Sequence, residues 1–127
     1  MACLDAWAVL AWLQGEQRAA AKVDAVVASG TAIMSWINVG EVACIVQRRH
    51  GAEARARIVT GLRASCRLEE PTAGRVLAAA EIKALNGVSY ADAFAIATAR
   101  AHHVPLLTGD PEILMAVEES EAVDLRA

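Results

Sequence analysis

The sequence predicts an α/β fold, with a central, mainly parallel sheet of four to five short strands between layers of helices. Short apolar runs alternate along the chain with longer segments of helical periodicity, the pattern of parallel strands joined by helices. The composition, 56% hydrophobic with one Phe and one Tyr, favours helices that pack closely through small side chains. Because 127 residues suit one core, we expect a single domain over residues 1–127.

The first part of the chain predicts two strands and two helices. Residues 1–4 are a short apolar run that ends at Asp5, and we expect them to form a central strand. The apolar segment 6–13 suits a helix packed on that strand, and residues 17–28 suit a better-solvated helix. Residues 31–35 are β-branched and apolar, and they predict the second strand.

A capping signal predicts where the next helix begins. Asn38 is a favourable N-cap, and Glu41 would then occupy the N3 position of a capping box. We expect this helix to end at Arg49, before a glycine, and a further helix to span residues 52–64.

The strongest helix prediction follows in the second half. Residues 67–69 are a weak strand pattern, and residues 72–85 form an Ala-rich helical segment. Ser89 opens a helix over residues 90–101 that is almost wholly apolar, so we expect it to be buried on most of its surface. Asp92 completes a variant capping box with Ser89, with an acid in place of Glu or Gln.

The last segment predicts strand, turn, helix and strand. Residues 106–107 are a short apolar strand, after which Asp110 is a favourable cap and Pro111 suits the first helical position. Residues 113–117 predict a short helix, and residues 122–125 predict an edge strand.

Carboxylates stand just past the predicted strands or in the first turn of the helices that follow. They are Asp5, Glu41, Asp92 and Asp110. Parallel strands end at one edge of a sheet, so we expect these acids to meet there without a nearby Lys or Arg.

Mg²⁺ would relieve the repulsion between these carboxylates. Two such ions about 4 Å apart suit attack of water on a phosphodiester. Taken alone, Asp5 and Asp110 can also serve as helix caps, and Glu41 and Asp92 as first-turn acids that face the helix dipole. Glu112 is interpreted as a solvated first-turn acid.

Charge and cysteine content exclude several other classes of protein. The net charge is −3, yet half of the 12 Lys and Arg residues lie between Arg48 and Arg67. No apolar run approaches the roughly 20 residues of a membrane span, and the N-terminal residues lack a basic region before an apolar one, so we expect no secretory signal and a cytoplasmic protein. Three widely spaced cysteines predict neither disulfides nor a thiolate metal site, and we expect all three to be buried.

Four motifs together resemble the PIN domain family. They are Leu4-Asp5 with its apolar helix, Glu41 near a helix start, Ser-Tyr-Ala-Asp92-Ala-Phe-Ala-Ile-Ala, and Leu-Leu-Thr-Gly-Asp110-Pro-Glu. The chain is most similar to the short VapC-type ribonuclease toxins of toxin–antitoxin pairs. The resemblance spans nearly the whole chain; it is strongest over residues 89–113 and weakest over residues 52–72.

The resemblance implies a PIN-like α/β/α sandwich and a metal-dependent endoribonuclease. Asp5, Glu41, Asp92 and Asp110 would then be the catalytic, metal-binding acids for Mg²⁺ or Mn²⁺. Thr108 would orient Asp110 or a water molecule. The resemblance also implies an RNA substrate, a homodimer and a VapB-like antitoxin partner. Ala6 departs from the family pattern, because Ser or Thr often follows the first Asp, and one hydrogen bond is therefore absent.

Further side chains are candidate contacts for RNA or the antitoxin. They are Arg48, Arg49, Arg55 and Trp7. A solvated helix face is the alternative for the arginines, and core or dimer packing is the alternative for the tryptophan. The helix of about twelve residues is about 18 Å long, and His102 and His103 lie at the end opposite Asp92, so we interpret them as partners of the helix dipole.

Two other functions compete with the nuclease hypothesis. One is a degenerate PIN-like module that binds RNA or protein without cleaving, for which Ala6 is the support. The other is a phosphoacceptor receiver domain, which needs an Asp at a strand end in mid-chain. No Asp lies between Asp24 and Asp92, so the second hypothesis is weak.

Overall fold

A computed structural model describes residues 1–127 as a five-stranded sheet, all parallel, between two layers of helices. The strands are β1 (Ala2–Leu4), β2 (Ala32–Ser35), β3 (Arg67–Glu69), β4 (Leu106–Thr108) and β5 (Ala122–Asp124). The helices are α1 (Ala6–Leu13), α2 (Gln17–Ala28), α3 (Trp36–His50), α4 (Ala52–Ser65), α5 (Ala73–Leu85), α6 (Tyr90–Ala101) and α7 (Pro111–Ala116). A 3-10 turn, Glu119–Glu121, precedes β5. The predicted fold class is confirmed.

The sheet has the order β3-β2-β1-β4-β5, so β1 is its central strand, as the sequence predicts. Cys3 lies opposite Ile33 of β2 on one side and Leu106 of β4 on the other. Since every pair is parallel, the carboxyl ends of all five strands share one edge. Residues that directly follow β1, β2 and β4 therefore lie near one another.

Two hydrophobic clusters fill the space on either side of the sheet. One joins alternate residues of the central strands, such as Leu4 and Leu107, to α1, α2, α3 and α4. The other packs α5, α6 and α7 against Cys3 and Leu106. Helix α6 lies in this second cluster, with every residue from Ala93 to Ala99 buried, as its apolar sequence predicts.

The predicted start of α3 is wrong. The helix begins at Trp36, and Ser35 is its N-cap, accepting a hydrogen bond from the Ile37 amide at 3.2 Å. Ser35 is as good a cap as Asn38 and comes directly after β2, so the helix starts three residues earlier. Asn38 is instead a fully buried residue within the helix, and Glu41 lies in its second turn.

The other predicted boundaries agree with the structure to within two residues. Cys44 is exposed, which corrects the expectation that all three cysteines are buried. None of the helices combines the length and apolar character that crossing a membrane requires.

Candidate metal centre

Asp5 is the most deeply buried acid at the carboxyl edge of the sheet. It follows β1 as the N-cap of α1 and is 2% exposed. Its Oδ1 accepts a hydrogen bond from the Ala8 amide at 2.8 Å, and its Oδ2 accepts one from the Thr108 hydroxyl. Burial raises the pKa of Asp5 to about 7; the two hydrogen bonds oppose this shift, and the charges of Asp92 and Asp110 add to it.

Thr108 connects the two central strands at this edge. While its hydroxyl donates to Asp5, its Oγ1 accepts a hydrogen bond from the Asp110 amide at 3.0 Å. One side chain at the end of β4 therefore holds both a carboxylate after β1 and the backbone of the next acid. The sequence predicts an orienting role for Thr108, and this geometry supports it.

Three carboxylates come together where α6 and α7 begin. Carboxylate oxygens of Asp92, Asp110 and Glu112 all lie within 4.8 Å of one another. Asp110 is the N-cap of α7, and its Oδ1 accepts from the Glu112 amide at 2.8 Å. Ser89 and Asp92 form the predicted capping box of α6. Partial burial raises the pKa of Asp92; the charges of Asp110 and Glu112 raise it further, against hydrogen bonds from Ser89.

Glu41 approaches this group from α3 and is held by Asn38. The Asn38 Nδ2 donates to Glu41 Oε1 at 3.2 Å and to the carbonyl of Ala91, the residue before Asp92, at 3.0 Å. Burial raises the pKa of Glu41; the Asn38 hydrogen bond opposes this shift, and the charges of Asp92 and Asp110 strengthen it.

Asn38 is a residue of this site that the sequence interpretation missed. Its amide links α3 to the first turn of α6, while its Oδ1 is buried without a hydrogen-bond partner. The spacing of Asn38 and Glu41, three residues apart on one helix, was the available signal, because side chains at that spacing meet. The same two residues also fit a capping box, which is the interpretation that the sequence favours.

The donor set fits a hard divalent cation. All of its members are oxygen ligands, and no Lys or Arg side chain forms an ion pair with any of them. The pKa values of Asp5, Glu41 and Asp92 are raised together, which reflects negative charge brought close and partly desolvated. Mg²⁺ and Mn²⁺ prefer carboxylate and water ligands, so these residues suit either ion.

A family model described as the PIN domain matches residues 2–118. The chain belongs to the PIN domain family. This result confirms the family that the four sequence motifs indicate. A comparison with curated proteins finds no match.

Solved structures with the same fold include several PIN domains from toxin–antitoxin systems. A toxin–antitoxin complex from Klebsiella pneumoniae is 17% identical with a TM-score of 0.77, covering 98% of each chain. VapC20 of Mycobacterium tuberculosis, described as a toxin that cleaves the sarcin–ricin loop, is 22% identical with a TM-score of 0.70, covering 91% of this chain and 95% of that one. DNA-bound VapBC from Salmonella typhimurium is 12% identical with a TM-score of 0.77, covering 98% and 97%.

Trp7 of this PIN domain lies against the turn between Thr108 and Asp110. A Cβ added to Gly109 would overlap the Trp7 ring, so the indole packs directly on the glycine backbone. Trp7 is half-buried there. The indole therefore supports the turn that carries Asp110. Only the exposed part of Trp7 is available as a candidate contact for RNA or antitoxin.

The arginines proposed as contacts lie away from the acids of the PIN domain. Arg48 and Arg49 are exposed in the last turn of α3, about 10 Å or more along the helix from Glu41. Arg55 is exposed on α4 and donates to Gln47 Oε1 at 2.7 Å. The structure brings none of the three to the carboxylates.

Two other polar residues have structural partners. His102 Nε2 lies 3.0 Å from Glu69 Oε1, so the histidine connects the end of α6 to β3. Lys83 donates to the Val88 carbonyl at 2.9 Å and fixes the link between α5 and α6.

Proposed function

We propose that this PIN domain is a metal-dependent endoribonuclease and the toxin of a VapBC-type toxin–antitoxin pair. The observation that carries the nuclease proposal is the convergence of Asp92, Asp110 and Glu112 within 4.8 Å, beside the buried Asp5. These acids come from three separate segments of the chain. Nothing but oxygen ligands meets there, and the group lies at the open edge of the sheet, where a long polymer has access.

The acids would divide the work of the site between them. Asp92, Asp110 and Glu112 would hold Mg²⁺ or Mn²⁺, with Asp5 and Glu41 as the neighbouring acids. Such an ion, when bound, lowers the pKa of an attacking water and stabilises the leaving oxygen of the phosphodiester. Thr108 fixes Asp5 and the Asp110 backbone relative to each other through its two hydrogen bonds. Asn38 keeps Glu41 directed toward α6. The protein's own part is to fix five carboxylates before the ion and the RNA arrive.

The toxin–antitoxin part of the proposal draws support from the similar structures. One is described as a toxin–antitoxin complex, one as a loop-cleaving toxin and one as DNA-bound VapBC. On that basis the partner would be a VapB-like antitoxin protein. The homodimer remains a proposal from the family resemblance alone. Arg48, Arg49 and Arg55 would then contribute positive charge to contacts with RNA or with an acidic antitoxin segment.

Substitution of one carboxylate tests the nuclease proposal. The variant Asp92→Asn should fold, because Asn keeps the size of the side chain, and should lose cleavage of total RNA in the presence of Mn²⁺. Mapping of the new RNA ends gives the readout. Glu81→Gln is the matched control, since it removes the same charge from an exposed, unbonded position on α5 and should cleave like the wild type. Full cleavage by the Asp92→Asn variant would refute the assignment.

The second candidate function is a PIN-like module that binds RNA or protein without cleaving. Ala6 favours it, because a hydroxyl is missing next to Asp5. Asp5 nevertheless accepts hydrogen bonds on both carboxylate oxygens, from Ala8 and Thr108, which weakens this argument. Tight RNA binding by purified, antitoxin-free protein with no cleavage in Mn²⁺ would establish the binding module instead.

A further inference from the structure

A tryptophan and an arginine form a cation–π pair at the carboxyl edge of the sheet. The guanidinium carbon of Arg63 lies 4.6 Å from the centroid of the Trp36 ring. Trp36 is the first residue of α3 and packs in part against the hydrophobic core, whereas Arg63 is exposed in the last turn of α4. The guanidinium group thus lies over the indole ring, while Arg63 remains an exposed residue.

A cavity of about 360 Å³ adjoins this pair. It is lined by Trp36, Arg63, Cys66, Leu68 and Glu70. The accessible lining is mainly polar and carries one cation, Arg63, and one carboxylate, Glu70, so it has no net charge to attract a phosphate. A flat, uncharged ring that carries hydrogen-bond donors fits this chemistry: it can stack on the guanidinium and donate to the Glu70 carboxylate.

The cavity and the acids lie on two sides of one helix. Trp36 and Glu70 directly follow the ends of β2 and β3, at the same edge of the sheet as Asp5. Trp36 and Glu41 are five residues apart on α3, which places them about 140° apart around a helix of about 10 Å diameter. A strand of RNA whose phosphate sits at the acids would have to cross the start of α3 to place a nearby nucleotide in the cavity.

We propose that this cavity binds one base of the single-stranded RNA substrate, stacked on Arg63 and hydrogen-bonded to Glu70. The proposal rests on the proposed ribonuclease function and adds a base-selecting subsite to it. Unpaired bases are commonly read by stacking on aromatic rings or on arginine planes. An arginine already placed over an indole ring can provide such a surface.

The experiment compares arginine with lysine at matched positions. Binding of short, labelled, single-stranded RNAs is measured by fluorescence anisotropy in EDTA, so that metal-dependent cleavage does not interfere. Each nucleotide is replaced in turn by an abasic one. Arg63→Lys keeps the charge and removes the flat guanidinium. Arg57→Lys is the control, because Arg57 is exposed on the same helix with no aromatic partner. Trp36→Phe provides a second, conservative variant.

We expect an abasic nucleotide at one position to weaken wild-type binding about tenfold, the usual scale for one stacked base. Arg63→Lys should weaken binding of the complete RNA by about the same factor. In this variant the abasic replacement at that position should no longer change the affinity. Trp36→Phe should weaken binding in the same direction, and Arg57→Lys should change little.

Two results would overturn the base site. They are equal affinities of the Arg63→Lys and Arg57→Lys variants for the complete RNA, and an abasic effect that persists in Arg63→Lys. Because these measurements need no cleavage, they stand apart from the cleavage assay in Mn²⁺: a wild type that binds the base but cuts no RNA would refute the nuclease and keep the subsite.

Discussion

Gly109 and Trp7 show how closely single residues shape the candidate site. Gly109 sits between Thr108, which holds Asp5, and Asp110, which is itself a site acid. The space that a side chain at residue 109 would need is filled by the Trp7 ring. The turn therefore depends on a glycine for reasons of space, and the position of two acids depends on the indole behind it.

Adding a methyl group at residue 109 tests this dependence. Gly109→Ala should lower the free energy of unfolding by about 1–3 kcal/mol, the usual cost of overpacking, and should reduce metal-dependent RNA cleavage. In a Trp7→Ala background the same change should cost much less, because the clash is gone. Urea unfolding of the single and double variants gives the free energy of interaction between residues 7 and 109.

Gly61→Ala is the control for this pair. It lies in α4 with nothing within 4 Å of an added Cβ, and Ala there should stabilise the helix by about 0.5–1 kcal/mol. Additive effects of the Trp7 and Gly109 substitutions would show that the two residues do not restrain each other.

At the scale of elements, capping and metal binding are not alternatives. Asp5 caps α1, Asp92 completes the capping box of α6, and Asp110 caps α7. A helix start presents free amide groups and a partial positive charge, which fix a carboxylate and favour its ionised form. The sequence could not distinguish a cap from a ligand at any one of these positions. In the structure each acid caps a helix or completes a capping box, and its carboxylate still lies at the candidate metal centre.

The elements also show where prediction from sequence succeeds. Helix α6 and its buried face were predictable, because Ser89 with Asp92 signals the start and an unbroken apolar run signals burial. The start of α3 was not, because Ser35 and Asn38 are both good caps and only the end of β2 decides between them. The sequence predicts a solvated Glu112, and the residue is exposed. Its proximity to Asp92 is not predictable, because it depends on the relative positions of α6 and α7, which no local pattern encodes.

One polar cluster joins β3, α5 and α6. Glu69 of β3 accepts from Arg75 of α5 at 2.5 Å and pairs with His102 of α6 at 3.0 Å. Partial burial acts to raise the pKa of Glu69, but the hydrogen bonds from His102 and Arg75 and the Arg75 charge outweigh it, so its pKa lies below the ordinary value.

Glu69→Gln should therefore destabilise the protein in a pH-dependent way. A lowered carboxylate pKa stabilises the folded state above the unfolded pKa of about 4.3, and this contribution disappears as the pH falls through the folded value. With a quarter of the Glu69 side chain exposed, we expect a loss of about 1 kcal/mol at pH 7 and almost none near pH 3. Urea unfolding at both pH values measures it, with Glu81→Gln as the control. An equal loss at both would show that the ionised carboxylate is not what matters.

At the scale of the whole molecule, charge is segregated. The overall charge is −3, with the candidate metal centre collecting acids at the sheet edge and half of the Lys and Arg residues falling between Arg48 and Arg67. Without a cation, folding must bring the acids together against their repulsion. An ion that binds the folded edge and not the unfolded chain would be coupled to the stability of the entire domain.

Metal addition should therefore stabilise the whole fold through one small site. At 100 times its dissociation constant, Mn²⁺ should raise the free energy of unfolding by about 2.7 kcal/mol, a shift in melting temperature on the order of 10 °C. Thermal unfolding of the EDTA-treated protein, with and without Mn²⁺, measures this shift. Asp92→Asn should lose most of it, whereas Glu81→Gln should keep it, because Glu81 lies on the exposed side of α5. An equal shift in both variants would mean that the ion binds elsewhere. No shift in the wild type would mean that the acids are held by their helix starts and by Thr108 alone.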